Sequence, residues 1–176
     1  IVSQPESRAN HGDSGFVWSS DGKTLFLGTN VDREFTAVVA YDIDTREFES
    51  LAESEYDLSA VNLCGPADDY LVWTENRDGF DVLRGRQLSS GEPIEFPSLP
   101  EGIYNLSCSR QTSALIVGVN GWRTPGDLYA VDLVSKTRER LVSSNLAGIA
   151  SETLVRPVSV RMPARDGVEL QGLLYL

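Results

Sequence analysis

Short apolar runs alternate with polar, turn-forming stretches along most of the chain. The runs are four to eight residues long, rich in Val, Leu, Phe and Tyr, and separated by Gly, Asp, Asn and Ser. This spacing is typical of strands joined by tight turns and is unlike the 3.6-residue periodicity of helices. The first stretch predicts strands at 16–19, 25–30, 37–44 and 47–51.

The same apolar pattern returns twice at a fixed offset of 45 residues. Positions that stay apolar in all three copies are Phe26, Leu71 and Ile116; Leu27, Val72 and Val117; and Val38, Leu83 and Leu128. Polar positions match less closely, as at Asn30, Glu75 and Asn120. Four strands with their turns fill a period of this length, which is the size of a propeller blade. We therefore predict an all-β fold with three four-stranded antiparallel blades, at about 12–56, 57–101 and 102–142.

The fourth strand of each predicted blade carries the weakest pattern. The segment 45–58 has loose helical spacing, but its later copies contain Pro93, Pro97 and alternating charges such as Lys136 and Arg138. Proline disfavours a helix interior, and charges protect an exposed sheet edge from pairing with other molecules. These segments are therefore predicted to be outer edge strands.

The repeat ends near residue 142. Residues 143–153 are small and polar and predict a linker. Segments 154–163 and 168–176 then predict two strands around Asp166 and Gly167, a step that suits a hairpin turn. The chain should thus comprise an open set of blades followed by a β-hairpin.

Several stretches resemble a known family. Residues 18–25, Trp-Ser-Ser-Asp-Gly-Lys-Thr-Leu, resemble the signature of TolB-type propeller repeats, and 127–133 and 140–141 resemble the third and fourth strands of such a blade. Residues 144–146, 158–161 and 166–175 resemble the passage from propeller to catalytic domain in the prolyl oligopeptidase family, nearest its acylaminoacyl-peptidase-like branch.

The resemblance implies a parent serine peptidase in which 154–176 is the first hairpin of an α/β-hydrolase domain that is absent here. The chain itself would carry no catalytic residue, cofactor or metal and would be inactive alone. It would cover the active site and limit access to short peptides. Its peptide partner would be the substrate that the parent's catalytic domain binds. The alternative is a TolB-like propeller that serves as a protein-binding scaffold, and only the terminal hairpin separates the two.

Charge and composition limit the classes of partner that the chain is expected to bind. The net charge of −11 repels phosphate backbones, so nucleic acid is not expected as a partner. No apolar run approaches the ~20 residues of a membrane helix, so no membrane partner is expected. The compartment is unknown, with a cytoplasmic location favoured over a periplasmic one. Three blades cannot close a ring, and their uncovered outer faces predict self-association.

Strand direction predicts a candidate site. The loops after each second strand lie on the same side as the exit from the fourth strand, where a catalytic domain would be attached. The candidate residues on these loops are Arg33, Glu34, Arg77, Asp78, Trp122 and Arg123. Arginines and carboxylates could bind the ends of a peptide. The competing interpretation, which the general polarity of loops favours, is that they are solvated turn residues.

Two other motifs are interpreted as structural. The Gly-Asp-Ser-Gly run at 12–15 lies beside the single histidine, His11. It is predicted to be a loop, because the base of a triad must approach the serine from elsewhere in the fold and no second histidine exists. Asp42 and Asp44 resemble the start of a calcium loop but lack the later ligands, so Asp42 and its counterpart Asp132 are expected to act at strand ends.

Two of the three tryptophans and both cysteines are expected in the interior. Trp18 and Trp73 are predicted to pack between blades, whereas Trp122 lies in a loop. Cys64 and Cys108 could form a disulfide, but free buried thiols are favoured. The sequon at 105–107 opens a predicted strand and is interpreted as chance.

Overall fold

The computed structural model describes residues 15–176, and in that range it is built almost entirely of antiparallel strands. The first sheet has the order β1-β2-β3-β4: Phe16–Trp18, Thr24–Thr29, Ala37–Asp42 and Phe48–Ala52. The second has the order β5-β6-β7: Leu58–Cys64, Tyr70–Arg77 and Phe80–Gln87. The third contains β8 to β11: Ile103–Cys108, Ala114–Asn120, Pro125–Asp132 and Thr137–Val142.

A separate two-stranded hairpin follows the three sheets. It consists of β12, Val158–Pro163, and β13, Glu169–Leu174, and is preceded by a short 3-10 turn at Ser151–Thr153. The prediction of an all-β fold with successive antiparallel sheets and a terminal hairpin is confirmed. The segment at 45–58 contains strand β4 and no helix, as predicted.

The second sheet differs from its neighbours in its fourth segment. There, the pairing after β7 is reduced to one isolated bridge between Arg86 and Pro93. Proline has no N–H to donate to a ladder, and Pro93, Pro97 and Pro100 occur within eight residues. This segment therefore runs beside β7 without forming a regular strand.

Two apolar clusters hold the sheets face to face. Phe26, Val38, Leu63 and Leu71 pack between the first and second sheets. The second cluster joins the second and third sheets through residues such as Val72, Leu83, Leu115, Val117 and Val131. Burying each such side chain contributes about 1.5–3 kcal/mol relative to leaving it in water, so these two interfaces are the main stabilising contacts of the fold.

The tryptophans divide between interior and surface. Trp73 is buried, with 7% of its surface exposed, as predicted. The prediction for Trp18 is wrong, because 45% of its surface is exposed, and Phe16 on the same face of β1 is 61% exposed. Alternate residues of a strand share one face. This face of the first sheet packs against no other sheet within residues 15–176.

A disulfide links Cys64 at the end of β5 to Cys108 at the end of β8, with the two Cα atoms 4.9 Å apart. The expectation of free thiols is therefore wrong. The first strands of neighbouring sheets lie face to face, so side chains that leave opposite faces of their own strands meet between the sheets. The bridge connects the second and third sheets across their interface.

Aspartates fix the turns after the third strands. The Oδ1 atom of Asp42 accepts hydrogen bonds from the N–H groups of Asp44 and Thr45 at 2.9 and 2.7 Å. Asp132 accepts equivalent bonds from Val134 and Ser135 at 2.9 and 2.8 Å. The predicted strand-end role of these two aspartates is confirmed.

At the same end of the sheets, Arg110 ties the three units together. Its guanidinium donates to the Trp18 carbonyl at 3.0 Å and contacts an Asp68 carboxylate oxygen at 2.9 Å. Asp68 in turn accepts a hydrogen bond from the Ser20 hydroxyl at 2.8 Å. One cation from the third unit thus bridges the first turns of the other two.

Candidate functional site

The candidate site lies where the connections between second and third strands emerge, here called the loop face. These connections comprise residues 30–36, 78–79 and 121–124. The chain beyond β11 returns to this side, since the Gln171 side-chain amide in β13 donates to Asp78 Oδ1 at 2.7 Å. The Arg161 guanidinium in β12 lies 3.7 Å from the same carboxylate. The terminal hairpin is therefore in direct contact with the second sheet's loop.

The loop between β6 and β7 is a two-residue hairpin turn. Asp78 and Gly79 both have positive φ, 53° and 88°, the combination that a tight turn with the twist of the flanking strands requires. A Cβ at position 79 would lie only 3.1 Å from Leu173 Cδ1. Glycine at this position thus permits both the turn and the close approach of the terminal hairpin.

Glu75, at the end of β6, is a buried carboxylate surrounded by donors. It accepts hydrogen bonds from the Ser54 hydroxyl at 2.5 Å, from Arg77 Nε at 3.0 Å and from Arg84 Nε at 2.8 Å. Burial alone would raise the pKa of Glu75, but these bonds outweigh it and lower that pKa. Arg77 also lies over the Tyr56 ring, 5.6 Å from its centroid. Arg77 and Arg84 are therefore held in place as cations.

A second ion pair joins the residues just before the third sheet to the residues just before the terminal hairpin. Arg156 makes two bonds to Glu101, Nε to Oε2 and one terminal nitrogen to Oε1, each 2.7 Å long. The bonds from Arg156 hold the pKa of Glu101 below its ordinary value, although partial burial opposes them. Trp122 Nε1 donates to the same carboxylate at 3.4 Å, and Arg156 lies 5.4 Å from the Phe80 ring centroid.

Between these two ion-pair groups lies an open cleft of about 800 Å³. Its walls come from β7, the irregular segment 94–101 and the start of the terminal segment, which comprises residues 154–176. The residues that line it include Arg77, Phe80, Arg84, Phe96, Leu99 and Arg156. The volume is in the range of small-molecule and peptide sites.

Tyr104 lines the cleft as a neutral hydrogen-bond donor. Burial, assisted by the nearby carboxylates of Asp81 and Glu101, raises the pKa of Tyr104 to about 12. Its hydroxyl donates to the Pro100 carbonyl at 2.8 Å, and its backbone N–H donates to Asp81 Oδ2 at 2.7 Å. These bonds fix both the irregular segment and the start of the third sheet.

A buried aspartate at the start of β10 positions the exit of the chain. Asp127 Oδ1 accepts bonds from the Ser144 N–H at 2.8 Å and from the Ser144 hydroxyl at 2.7 Å. Burial would raise the pKa of Asp127, but the bonds from Ser144 and the charge of Arg140, 3.7 Å away, lower it. The linker is thus anchored at the point where it leaves the third sheet.

The structure brings only some of the predicted site residues together. Arg77 and Asp78 line the cleft. Trp122, with the Arg123 guanidinium 4.2 Å above its ring, reaches the cleft indirectly through Glu101.

The first-sheet residues belong to a different part of the loop face. Arg33 pairs instead with Glu53 at 2.9 Å, Glu34 is exposed, and neither residue lines the cleft.

Several residues of the site were not predicted. Glu75 had a signal, because an acid stands there where the other two copies have Asn30 and Asn120. No such signal exists in the sequence for Glu101, Arg156 and Gln171. The contact between Arg156 and Glu101 spans 55 residues and that between Gln171 and Asp78 spans 93, and neither follows the repeat.

His11 and positions 12–14 of the Gly-Asp-Ser-Gly run lie outside the described residues. Within 15–176, no group of three or more His, Cys, Asp and Glu side chains is arranged to hold a metal ion. No described helix is long and apolar enough to cross a membrane.

Comparison with known proteins relates the chain to peptidases. No protein-family model matches it. An uncharacterized peptidase of Bacillus subtilis (strain 168), YuxL, is 27% identical over 121 residues, which is 64% of this chain and 18% of that protein.

Solved structures share the fold at low identity. Puromycin hydrolase superimposes with a TM-score of 0.77 at 16% identity, over 95% of this chain and 25% of its own. Prolyl oligopeptidase B from Galerina marginata, bound to a 25mer macrocyclization substrate, superimposes with a TM-score of 0.75 at 16% identity. The superposition covers 94% of this chain and 23% of that one. The chain thus spans less than a fifth of the curated relative and about a quarter of these structures, and it has the fold of their propeller region.

Proposed function

We propose that this chain is the non-catalytic propeller segment of a prolyl-oligopeptidase-type serine peptidase, and that it covers the active site and limits access to short peptides. The acylaminoacyl-peptidase-like branch is part of this proposal, on the residues at 144–146, 158–161 and 166–175. In the proposed parent, 143–153 is the linker and 154–176 the first hairpin of the hydrolase domain.

The observation that carries the proposal is the position of the terminal hairpin. Its β13 strand contacts the Asp78 loop through Gln171, and Leu173 packs beside Gly79. A catalytic domain that continues from this hairpin would extend over the loop face. A peptide would then have to pass the loops to reach a nucleophile located there.

Within this arrangement, we propose that the candidate residues face the peptide. Arg77 and Asp78 already border the cleft beside the hairpin, while Arg123 is held over Trp122 by a cation–π contact. Arg33 and Glu34 extend the charged rim on the first sheet. Paired arginines and carboxylates can bind both ends of a short peptide.

Kinetics of the full-length protein that carries these residues test the proposal. We expect it to hydrolyse short peptides and to lose this activity on treatment with a serine-reactive organophosphonate. Arg123→Ala and Arg77→Ala should raise KM about threefold or more with a smaller change in kcat, because each removes a contact to bound peptide of roughly 1 kcal/mol. Arg138→Ala, which removes an arginine from the outer edge of the third sheet, is the control.

Two outcomes would overturn the proposal in different ways. Absence of serine-dependent hydrolysis in the full-length protein would favour the protein-binding scaffold. Hydrolysis with unchanged KM in both Arg77→Ala and Arg123→Ala would keep the peptidase but remove these residues from its substrate path.

A further inference from the structure

The outer edge of β7 is the sheet edge that lacks a regular partner strand at its centre. In the other two blades, β4 and β11 pair with the third strands over four or more positions. Beside β7, the following segment is bonded only near the two ends. The Ile94 N–H donates to the Gly85 carbonyl at 2.9 Å, and the Asp81 N–H donates to the Gly102 carbonyl at 2.8 Å.

Leu83 lies between those two attachment points and directs its backbone toward the gap. In an antiparallel strand, successive residues direct their backbone groups to opposite sides. Gln87 and Asp81 donate outward, to Glu92 and Gly102, so Leu83 also points its N–H and C=O outward. Within the described residues, no bond joins these two groups to the segment 92–102.

The gap at Leu83 opens into the cleft of about 800 Å³ described above. Phe80, Phe96 and Leu99 supply apolar surface, and Arg156 with Ser159 of the terminal segment closes one side. A free backbone donor and acceptor on one strand residue is the arrangement that an added peptide strand recognises. The open backbone edge at Leu83 thus favours an extended peptide over a compact ligand.

The arginines beside the cleft indicate which end of the peptide would bind there. Arg77 and Arg84 share the single carboxylate of Glu75, which leaves one positive charge without a partner in this group. Their side chains are 49% and 41% exposed, whereas that of Glu75 is 5% exposed. The carboxylates that also line the cleft are each bonded to another group; they are Asp78, Asp81, Glu95 and Glu101. The positive charge of the Arg77 and Arg84 pair is therefore locally complementary to a carboxylate.

We propose that this edge is a binding site for a short extended peptide with a free C-terminal carboxylate. One peptide residue exchanges both backbone hydrogen bonds with Leu83, and the carboxylate is bound by Arg84 beside Arg77. That the peptide is a substrate or product of the same protein rests on the proposed function. The proposed site involves binding only, and it lies between β7, the segment 94–101 and the start of the terminal segment.

Calorimetry on the full-length protein with matched probes tests this site. The catalytic serine is first blocked with an organophosphonate, so that the chamber is occupied. The probe is acetyl-Ala-Val-Ala with a free carboxylate, compared with its C-terminal amide and with the same peptide N-methylated at Val. Loss of a charge-assisted hydrogen bond should weaken binding about ten- to hundredfold for the amide, and loss of the backbone donor should weaken it several-fold.

The variants Arg84→Gln and Arg138→Gln complete the design. Arg84→Gln should weaken the carboxylate probe about as much as amidation does, while Arg138→Gln, outside the cleft, should not change its affinity. Because the two modified probes use the unaltered protein, the result does not depend on correct folding of Arg84→Gln.

The outcomes separate this inference from the proposed function. No binding, or equal binding of the acid and the amide, would overturn the site. Binding that disappears when the serine is blocked would place the peptide in the catalytic chamber and would also overturn it. Selective binding in a protein that hydrolyses no peptide would support the site and overturn the proposed function.

Discussion

At the scale of single residues, buried carboxylates organise the loop face. Glu75 holds Arg77 and Arg84 in place, and Asp127 anchors the linker through Ser144. Each is almost fully enclosed and satisfied by several donors, which is the condition under which a buried charge is tolerated. These residues position exposed arginines and are themselves almost fully buried.

Replacing Glu75 should destabilise the protein. Glu75→Gln leaves two arginines and Ser54 with a weaker acceptor, so we expect a loss of about 1–3 kcal/mol in the free energy of unfolding. Urea unfolding followed by tryptophan fluorescence measures it, with the exposed Glu47→Gln as control. Equal midpoints for the two variants would contradict the role given to Glu75.

The pH dependence of this difference follows from the lowered pKa of Glu75. A carboxyl whose pKa is lower in the folded state contributes its stability fully above the unfolded value, 4.5, and loses it as the pH falls through the folded value. The gap between wild type and Glu75→Gln should therefore be constant near neutral pH and should narrow below about pH 4.5. A gap that widened in acid would show that the carboxylate is not stabilised in the fold.

At the scale of elements, periodicity made the strands predictable. Apolar residues at a fixed offset identified β2, β6 and β9, and the repeated aspartates Asp42 and Asp132 identified two turns. The sequence could not reveal how strongly three prolines would weaken the fourth segment of the second sheet. It also could not place Trp18, whose exposure depends on which sheet covers its face.

The disulfide shows the same limit of sequence reasoning. Cys64 and Cys108 stand one position out of register with the repeat, and only the face-to-face packing of β5 and β8 brings them together. Spacing alone left the disulfide and the free thiols as alternatives.

We expect the disulfide between Cys64 and Cys108 to be detectable by thiol labelling and to stabilise the fold. In protein purified without reductant and then denatured, Cys64 and Cys108 should not react with a thiol reagent, and both should react after reduction. The Cys64→Ser and Cys108→Ser double variant should lose about 2–4 kcal/mol of unfolding free energy because the unfolded chain is less constrained. Two reactive thiols before reduction would contradict the bridge.

At the scale of the whole molecule, the terminal segment contacts the second and third sheets on the loop face. Glu101 with Arg156, and Asp78 with Gln171 and Arg161, connect the loop face to the terminal segment. Sequence predicted the sheets, the hairpin and the side on which the chain leaves. The connecting pairs were not predictable, because they depend on the distance between segments far apart in the chain.

These contacts are exposed, so they should hold the segments together reversibly. An exposed ion pair contributes about 0.2–1 kcal/mol and is screened by salt. If the loop face and the hairpin together form a gate in front of a catalytic chamber, weakening them should admit longer peptides without altering the chemical step.

The most direct measurement is the ratio of kcat/KM for a long and a short peptide with the same cleavage site, determined on the full-length protein. In the Arg156→Gln and Gln171→Ala double variant we predict that this ratio rises about three- to tenfold, as loss of roughly 1 kcal/mol of contact implies. Arg165→Gln, in the turn of the same hairpin, should leave it unchanged. A ratio that is identical in wild type and the double variant would contradict the gating role of this face.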